Sequence, residues 1–294
     1  MSALPNDLPM VGSGKPIHNY EARADVLSAN IEQPLREEVG AQAQVILHGG
    51  GQYQFRQAEP FRLEGILSYK GGYTQVAGRP SAKTEGFTTL TTSVVECLNV
   101  LDVVTADRVV AQISTTHPVY GKGQVPSVTF LGTRFDNLRI DGRRVELDFN
   151  LDLLGPRHDD DRSYLDDANV NRRILEQQGR FSVADNLPEW AAGETPSIKS
   201  DGNGHRQLKC SLVNGIKSCP GVPFGHIIHL PHFGRIALVE LSVTQAYGDP
   251  AAKVYDKYRF RLTMIRINMG CLAEGTVSVA AADSNGGGSK GGGN

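Results

Sequence analysis

The chain has 294 residues, 30 basic against 32 acidic side chains, and a formal charge of −2. That balance excludes a global field drawing the protein to nucleic acid or an anionic membrane. With 7% aromatic residues and one tryptophan, the composition advertises neither a stacking platform for bases nor an aromatic shelf for sugars.

No apolar run is long enough to span a bilayer, and residues 1–19 lack the basic and apolar regions of a secretion signal. A soluble, cytoplasmic protein is therefore expected. Residues 1–39 read as an N-terminal arm, irregular through Pro5, Pro9 and Pro16. Gly12-Ser13-Gly14-Lys15 mimics the end of a P-loop, but Pro9 occupies the first glycine position and Pro16 the position of the metal-binding hydroxyl. From Tyr20 to Val39 the pattern is ambiguous. Leu27, Ile31 and Leu35 recur at helical spacing, yet Pro34 interrupts them, so a short helix and an extended segment both fit.

Strand signals then dominate. Alternation predicts strands over 42–48, 53–57, 61–69, 87–96, 100–105, 108–115, 127–133, 135–140 and 145–154, with turns at Gly71-Gly72, Asp136-Asn137 and Asp141-Gly142. The run from Arg144 to Leu153 alternates without a break, as a strand does when one face is dry and the other wet. Its polar face presents Glu146, Asp148, Asn150 and Asp152, which a solvated strand explains more simply than a pair of catalytic carboxylates. Short spacings favour antiparallel pairing, since parallel neighbours need long crossovers.

Gly155-Pro156 ends this series and opens an insertion over 155–206. Residues 164–178 look helical, with Leu165, Val170, Ile174 and Leu175 as the apolar side and Gly179 as the stop. Asp159, Asp160 and Asp161, followed by Asp166 and Asp167, are the densest acidic cluster, and oxygen ligands of this kind suit a divalent metal. Aspartates before a helix also cap its free N–H groups, and that is the preferred reading. From 180 to 205 the chain is polar, with Trp190 in the middle.

Strands resume over 207–213, 216–218, 224–230, 235–246 and 257–271, with a weaker one near 276–280. Asn214-Gly215 is the strongest two-residue hairpin turn. Counting outward from it places Cys210 opposite Cys219, close enough for a disulfide, which would indicate an extracellular setting. Cys97 and Cys271 are expected in the core. Residues 225–234 hold His226, His229 and His232, residue types that ligate metals. On a strand, however, His226 and His229 point to opposite faces, and only a bend at Pro231 would unite His229 with His232. The glycine-rich stretch 284–294 is expected to be a disordered tail.

Three segments, 93–114 (SVVECLNVLDVVTADRVVAQIS), 126–135 (PSVTFLGTRF) and 261–265 (RLTMI), resemble a family of uncharacterised β-rich bacterial proteins associated with Acidobacteria-like genomes. The similarity covers most of 20–275. It implies a bacterial origin and carries over no activity, ligand or catalytic residue.

The sequence thus defines a mainly β protein. The expected architecture is an antiparallel sandwich or barrel-like domain over 40–154 and 207–280, interrupted by the partly helical 155–206 insertion. It contains no nucleophile elbow, HExxH, CxxC pair or dinucleotide fingerprint. A non-enzymatic binding or self-assembly protein is the expected function, with 87–92 offering a polar face or edge to a partner or a like subunit. The alternative is a metal-assisted or carboxylate-based enzyme whose site lies under the insertion, with a divalent metal as its cofactor.

Overall fold

Two-residue alternation does build most of the molecule. The computed structural model describes residues 18–81, 86–119, 123–181, 188–201, 204–247, 255–270 and 273–287. The first strands are β1 (Tyr20–Gln33), β2 (Glu37–Val39), β3 (Val45–Gly49), β4 (Tyr53–Ala58), β5 (Phe61–Leu63) and β6 (Leu67–Tyr69). Three long strands follow, β7 (Gly71–Ser81), β8 (Gly86–Val100) and β9 (Val104–Pro118). Next come the short β10 (Ser127–Thr129), β11 (Arg134–Asp136), β12 (Arg139–Ile140), β13 (Arg143–Arg144) and β14 (Glu146–Phe149). A 3-10 turn at Tyr164–Asp166, α1 (Ala168–Phe181) and α2 (Glu189–Glu194) interrupt them. The chain returns through β15 (Ser197–Ser200), β16 (His205–Ser211), β17 (Val213–Ser218), β18 (Val222–Phe224) and β19 (Ile227–Leu230). It closes with β20 (Gly234–Tyr247), β21 (Tyr255–Gly270) and β22 (Glu274–Gly287).

These strands form two ten-stranded antiparallel sheets and a small β14–β17 pair, packed as a sandwich with no closed barrel. The first sheet runs β15-β16-β20-β21-β22-β1-β2, with β3 beside β1 and the β18–β19 hairpin continuing from β20. In the second, β4, β7, β8 and β9 lie side by side and the short strands line β9. The core lies between β22, β1 and β21 on one side and β8 and β9 on the other. Leu27, Ile31, Ile113 and Phe260 are fully buried in it. Each such side chain contributes roughly 1.5–3 kcal/mol.

At one end of the sandwich hydroxyls join the sheets beside a small apolar cluster of Tyr20, Ala22, Ala24, Val45, Leu47 and Val76. Ser93 Oγ donates to Asp25 O (2.8 Å), Thr91 Oγ1 donates to Asp283 O (3.2 Å), and the Thr115 and Ser284 hydroxyls meet at 2.9 Å. Segment 87–92 is therefore no free edge: β8 is flanked by β7 and β9, and Thr89 and Thr91 face inward.

The alternation reverses along one line across the first sheet. Buried positions in β1 run Ala22, Ala24, Val26 and then Leu27, Ala29, Ile31, while β21 has Phe260, Leu262, Met264 and then Ile265, Ile267. β20 switches between Leu238 and Val239, and β22 between Val279 and Ala280. The paired ladder skips Val26, Ala280, Met264 and Val239, which lie level with one another. Val239 and Ala280 adopt left-handed φ values of 54° and 50°. A left-handed residue inverts the pleat, so the same strand can bury odd positions on one side of the line and even positions on the other.

Several expectations are corrected. The arm expected over 1–39 contains β1, which pairs with β22, β2 and β3, so the sheet includes Tyr20 onward. Residues 1–17 lie outside the described set, as do Cys271 and the tail beyond Gly287. Ser284–Gly287, expected to be disordered, continues β22, because its backbone pairs with β21 and Ser284 is buried. The strand expected over 100–105 is a turn at 101–103, held by reciprocal Asn99–Asp102 hydrogen bonds of 2.6 and 2.8 Å. Gly71-Gly72 begins β7 instead of forming a turn; a Cβ on Gly72 would strike the Val94 carbonyl.

The run from Arg144 to Leu153 is not one strand: β14 ends at Phe149 and a turn follows, so Asp152 leaves the acidic face. Asn214-Gly215 lies inside β17, opposite β14, rather than at a hairpin turn. Asn214 accepts from Arg180 Nη2 at 3.0 Å and donates to Asp148 Oδ2 at 3.1 Å, which holds it in the strand. The proposed Cys210–Cys219 pairing therefore fails. Cys210 pairs with Leu241 across the ladder, and both thiols are free. Cys97 is exposed rather than in the core, at a left-handed φ of 53° where β8 reverses its own alternation. Gly179 lies within α1, which runs on to Phe181.

Candidate functional site

The insertion starts in the main core, where Tyr164, Leu165, Val170 and Ile174 are buried, and its later part, from Phe181 through α2, reaches the outer face of the first sheet. Asp167 caps α1, accepting from Asn169 N at 2.6 Å, and the buried Val170, Ile174, Gln177 and Phe181 form one face of the helix. Leu175, expected on the apolar side, is exposed. The Gln177 side chain donates to Ser211 O (2.6 Å) and accepts from Ser211 N (3.2 Å), fastening α1 to the end of β16. Phe181 then packs with Ala191, Phe224, Ile227 and Ala237 in a small separate cluster, with Trp190 against it. Gly225 (φ 57°) makes this possible, since a Cβ there would run into the Phe181 ring.

The reversal at Val239 brings the charged groups together. Ala237 and Glu240 are three residues apart yet share the outer face, and Arg266 is the ladder partner of Ala237. Arg266 forks onto Glu240, with Nε to Oε2 and Nη2 to Oε1 both 2.7 Å. Its other edge holds Glu194 of α2, with Nη2 to Oε2 at 2.7 Å and Nη1 to Oε1 at 3.2 Å. One guanidinium thus ties the insertion to the sheet through two bidentate pairs. Burial would raise the Glu240 carboxyl, but the Arg266 hydrogen bonds, with His226 at 3.7 Å, outweigh it and hold the group down at about 2. Glu240 is ionised at any physiological pH.

These residues wall a cleft of about 420 Å³ between α2 and the sheet. Trp190 and Glu194 form the α2 side. On the sheet side Lys209, Ser242 and Arg261 are successive ladder partners on β16, β20 and β21, so two cations flank one hydroxyl. Lys209 and Arg261 are exposed, and Arg261 Nε lies 3.8 Å from Asp283 Oδ1. Trp190 packs edge-on against Phe224 (5.3 Å), with the Arg235 guanidinium 5.0 Å over its ring.

The sequence-derived metal candidates separate. His226 is buried in the cleft wall, its ring 5.7 Å from Phe181. His229 lies 5.6 Å from the Trp190 ring, and His232 is exposed on the turn between β19 and β20. Asp159 is exposed, Asp160 pairs with Arg162 (2.7 Å), and Asp161 pairs with Arg157 (3.1 Å). Asp161 also accepts from the backbone N–H groups of Gln124 and Val125 at 2.6 and 2.9 Å, so it organises a loop. Among the described residues no group of three or more His, Cys, Asp or Glu side chains converges as metal ligands would. Also among them, no helix is long and apolar enough to cross a membrane. The Arg266 clamp was missed from sequence because its partners lie 26 and 72 positions away, and the one available signal was a charged pair interrupting the apolar runs of β20 and β21.

Residues 18–244 match the family model described as a domain of unknown function, DUF8256, and the chain belongs to that family. No curated protein and no solved structure matches the chain.

Proposed function

We propose that the protein is a non-enzymatic binding module that holds the anionic group of a small polar ligand in the cleft between α2 and the first sheet. The observation that carries this reading is the Lys209–Ser242–Arg261 row, two exposed cations on either side of a hydroxyl at the cleft floor. Both cleft glutamates are paired with Arg266, which counts against either as a general acid or base. Trp190, the only tryptophan, lines the same cleft and reports on it directly.

Titrating the full chain with phosphate, citrate and small dicarboxylates tests this through Trp190 fluorescence. Saturable quenching that weakens about tenfold in Lys209→Ala and Arg261→Ala is expected, each losing one charge-assisted contact. No saturable response at millimolar concentration, or an unchanged one in both variants, contradicts it.

The second reading is a carboxylate-based or metal-assisted enzyme, favoured by the meeting of His226 and Glu240 beneath the insertion. Stoichiometric metal in the untagged protein, lost in His226→Ala, would move the assignment there. Assembly of like subunits is a separate proposal, and light scattering showing a persistent monomer counts against it.

A further inference from the structure

The outer face of the second sheet carries its own groove, of about 560 Å³, across β4, β7, β8 and β9. Tyr53, Ala77, Leu90 and Ser114 are successive ladder partners along its floor. Arg79, Thr88 and Thr116 form the adjacent row. Tyr53 is 64% exposed, and Phe55, stacked on Tyr73 at 5.6 Å, extends an aromatic border along the same edge. Ala77, the ladder partner of Tyr53, adds only a methyl group to the floor beside it.

We infer that this groove binds a neutral oligosaccharide laid across the strands, a site separate from the α2 cleft. A sugar ring presents an apolar C–H face and a rim of hydroxyls. The groove offers the complement: an exposed phenol ring for the face, and Thr88, Ser114 and the Gln52 amide for the rim. Among the described residues Arg79 is the one charged side chain lining it, too little for a polyanion, and none of them lines it with a carboxylate to attract a cationic peptide. Four strands spaced by about 4.8 Å give a floor roughly 14 Å across, the length of a short oligosaccharide. The composition concealed this site because Tyr53, Leu90 and Ser114 come from three separate strands.

Isothermal titration of the full chain with cello-, xylo-, manno- and malto-oligosaccharides is the test. At least one series should bind, with affinity falling about tenfold in Tyr53→Ala and unchanged in Lys209→Ala. Tyr53 is exposed, so its truncation should leave the far-ultraviolet spectrum and melting temperature intact. Absence of heat at millimolar sugar from every series, or wild-type affinity in Tyr53→Ala, overturns the proposal. So does sugar-independent dimerisation abolished by Tyr53→Ala, which would make the groove an interface between copies of the chain.

Discussion

Arg266 is the residue on which the cleft depends, because its one guanidinium bridges two carboxylates from elements 26 and 72 positions away. The two partners are unequal. Glu240 sits in the sheet beside buried His226, whereas Glu194 belongs to a six-residue helix on top of it. Glu240→Gln should destabilise by about 2–3 kcal/mol, since it breaks the tighter fork, with both contacts at 2.7 Å on a sheet strand, and takes the charge from beside His226, and Glu194→Gln by about 1 kcal/mol or less. Urea denaturation measures both; equal effects would deny that the sheet-borne pair is the stronger.

Acid stability has a second residue-scale determinant in His18, which stacks on Phe87 with ring centroids 4.7 Å apart. Burial lowers its imidazole from 6.5 to about 4. Between those values the unfolded chain takes up a proton that the folded chain does not, so stability falls as pH drops from 6.5 to 4, by about 3 kcal/mol. Glu240 adds a loss in the same direction, starting lower, as pH falls from 4.5 towards about 2. Chemical denaturation across this range should show a shallower slope between pH 6.5 and 4 in His18→Phe; an unchanged slope would place the sensitivity elsewhere.

At the scale of elements, the strands were legible in the sequence and their reversals were not. The alternation of β21 from Tyr258 onward and the turn at Asp141-Gly142 follow from residue types alone. The inversion at Val239 and Ala280 is marked by no glycine or asparagine, so strict period-two reading carries the wrong face beyond it. The Asn214-Gly215 turn failed for the opposite reason, a strong local signal overridden by pairing with β14 and by Arg180. Glycine substitutions test these conformations. Ala282→Gly in ordinary strand geometry should cost about 1.5 kcal/mol, through lost burial and added chain entropy. Ala280→Gly, equally buried, should be close to neutral, because it also relieves about 1–2 kcal/mol of left-handed strain. Cys97→Gly, exposed at φ 53°, should stabilise. Equal losses at Ala280 and Ala282 would argue against the reversal.

For the whole molecule, sandwich closure could not be read from sequence, because it depends on β1, β22 and β9 meeting across long chain separations. The site was legible only in outline. His226 and Trp190, both singled out in the sequence, line the cleft, but the three clustered histidines offered as metal candidates do not converge among the described residues. Two ten-stranded sheets present two polar outer faces, one roofed by α2 and the other open at Tyr53. Everything assigned to the roofed face requires that α2 be fixed to the sheet through Arg266. Acrylamide quenching of Trp190 in wild type and Glu194→Ala measures that attachment most directly. The quenching constant should rise in the variant while the far-ultraviolet spectrum stays that of a β protein; identical quenching in the two proteins would show that the clamp does not hold the helix.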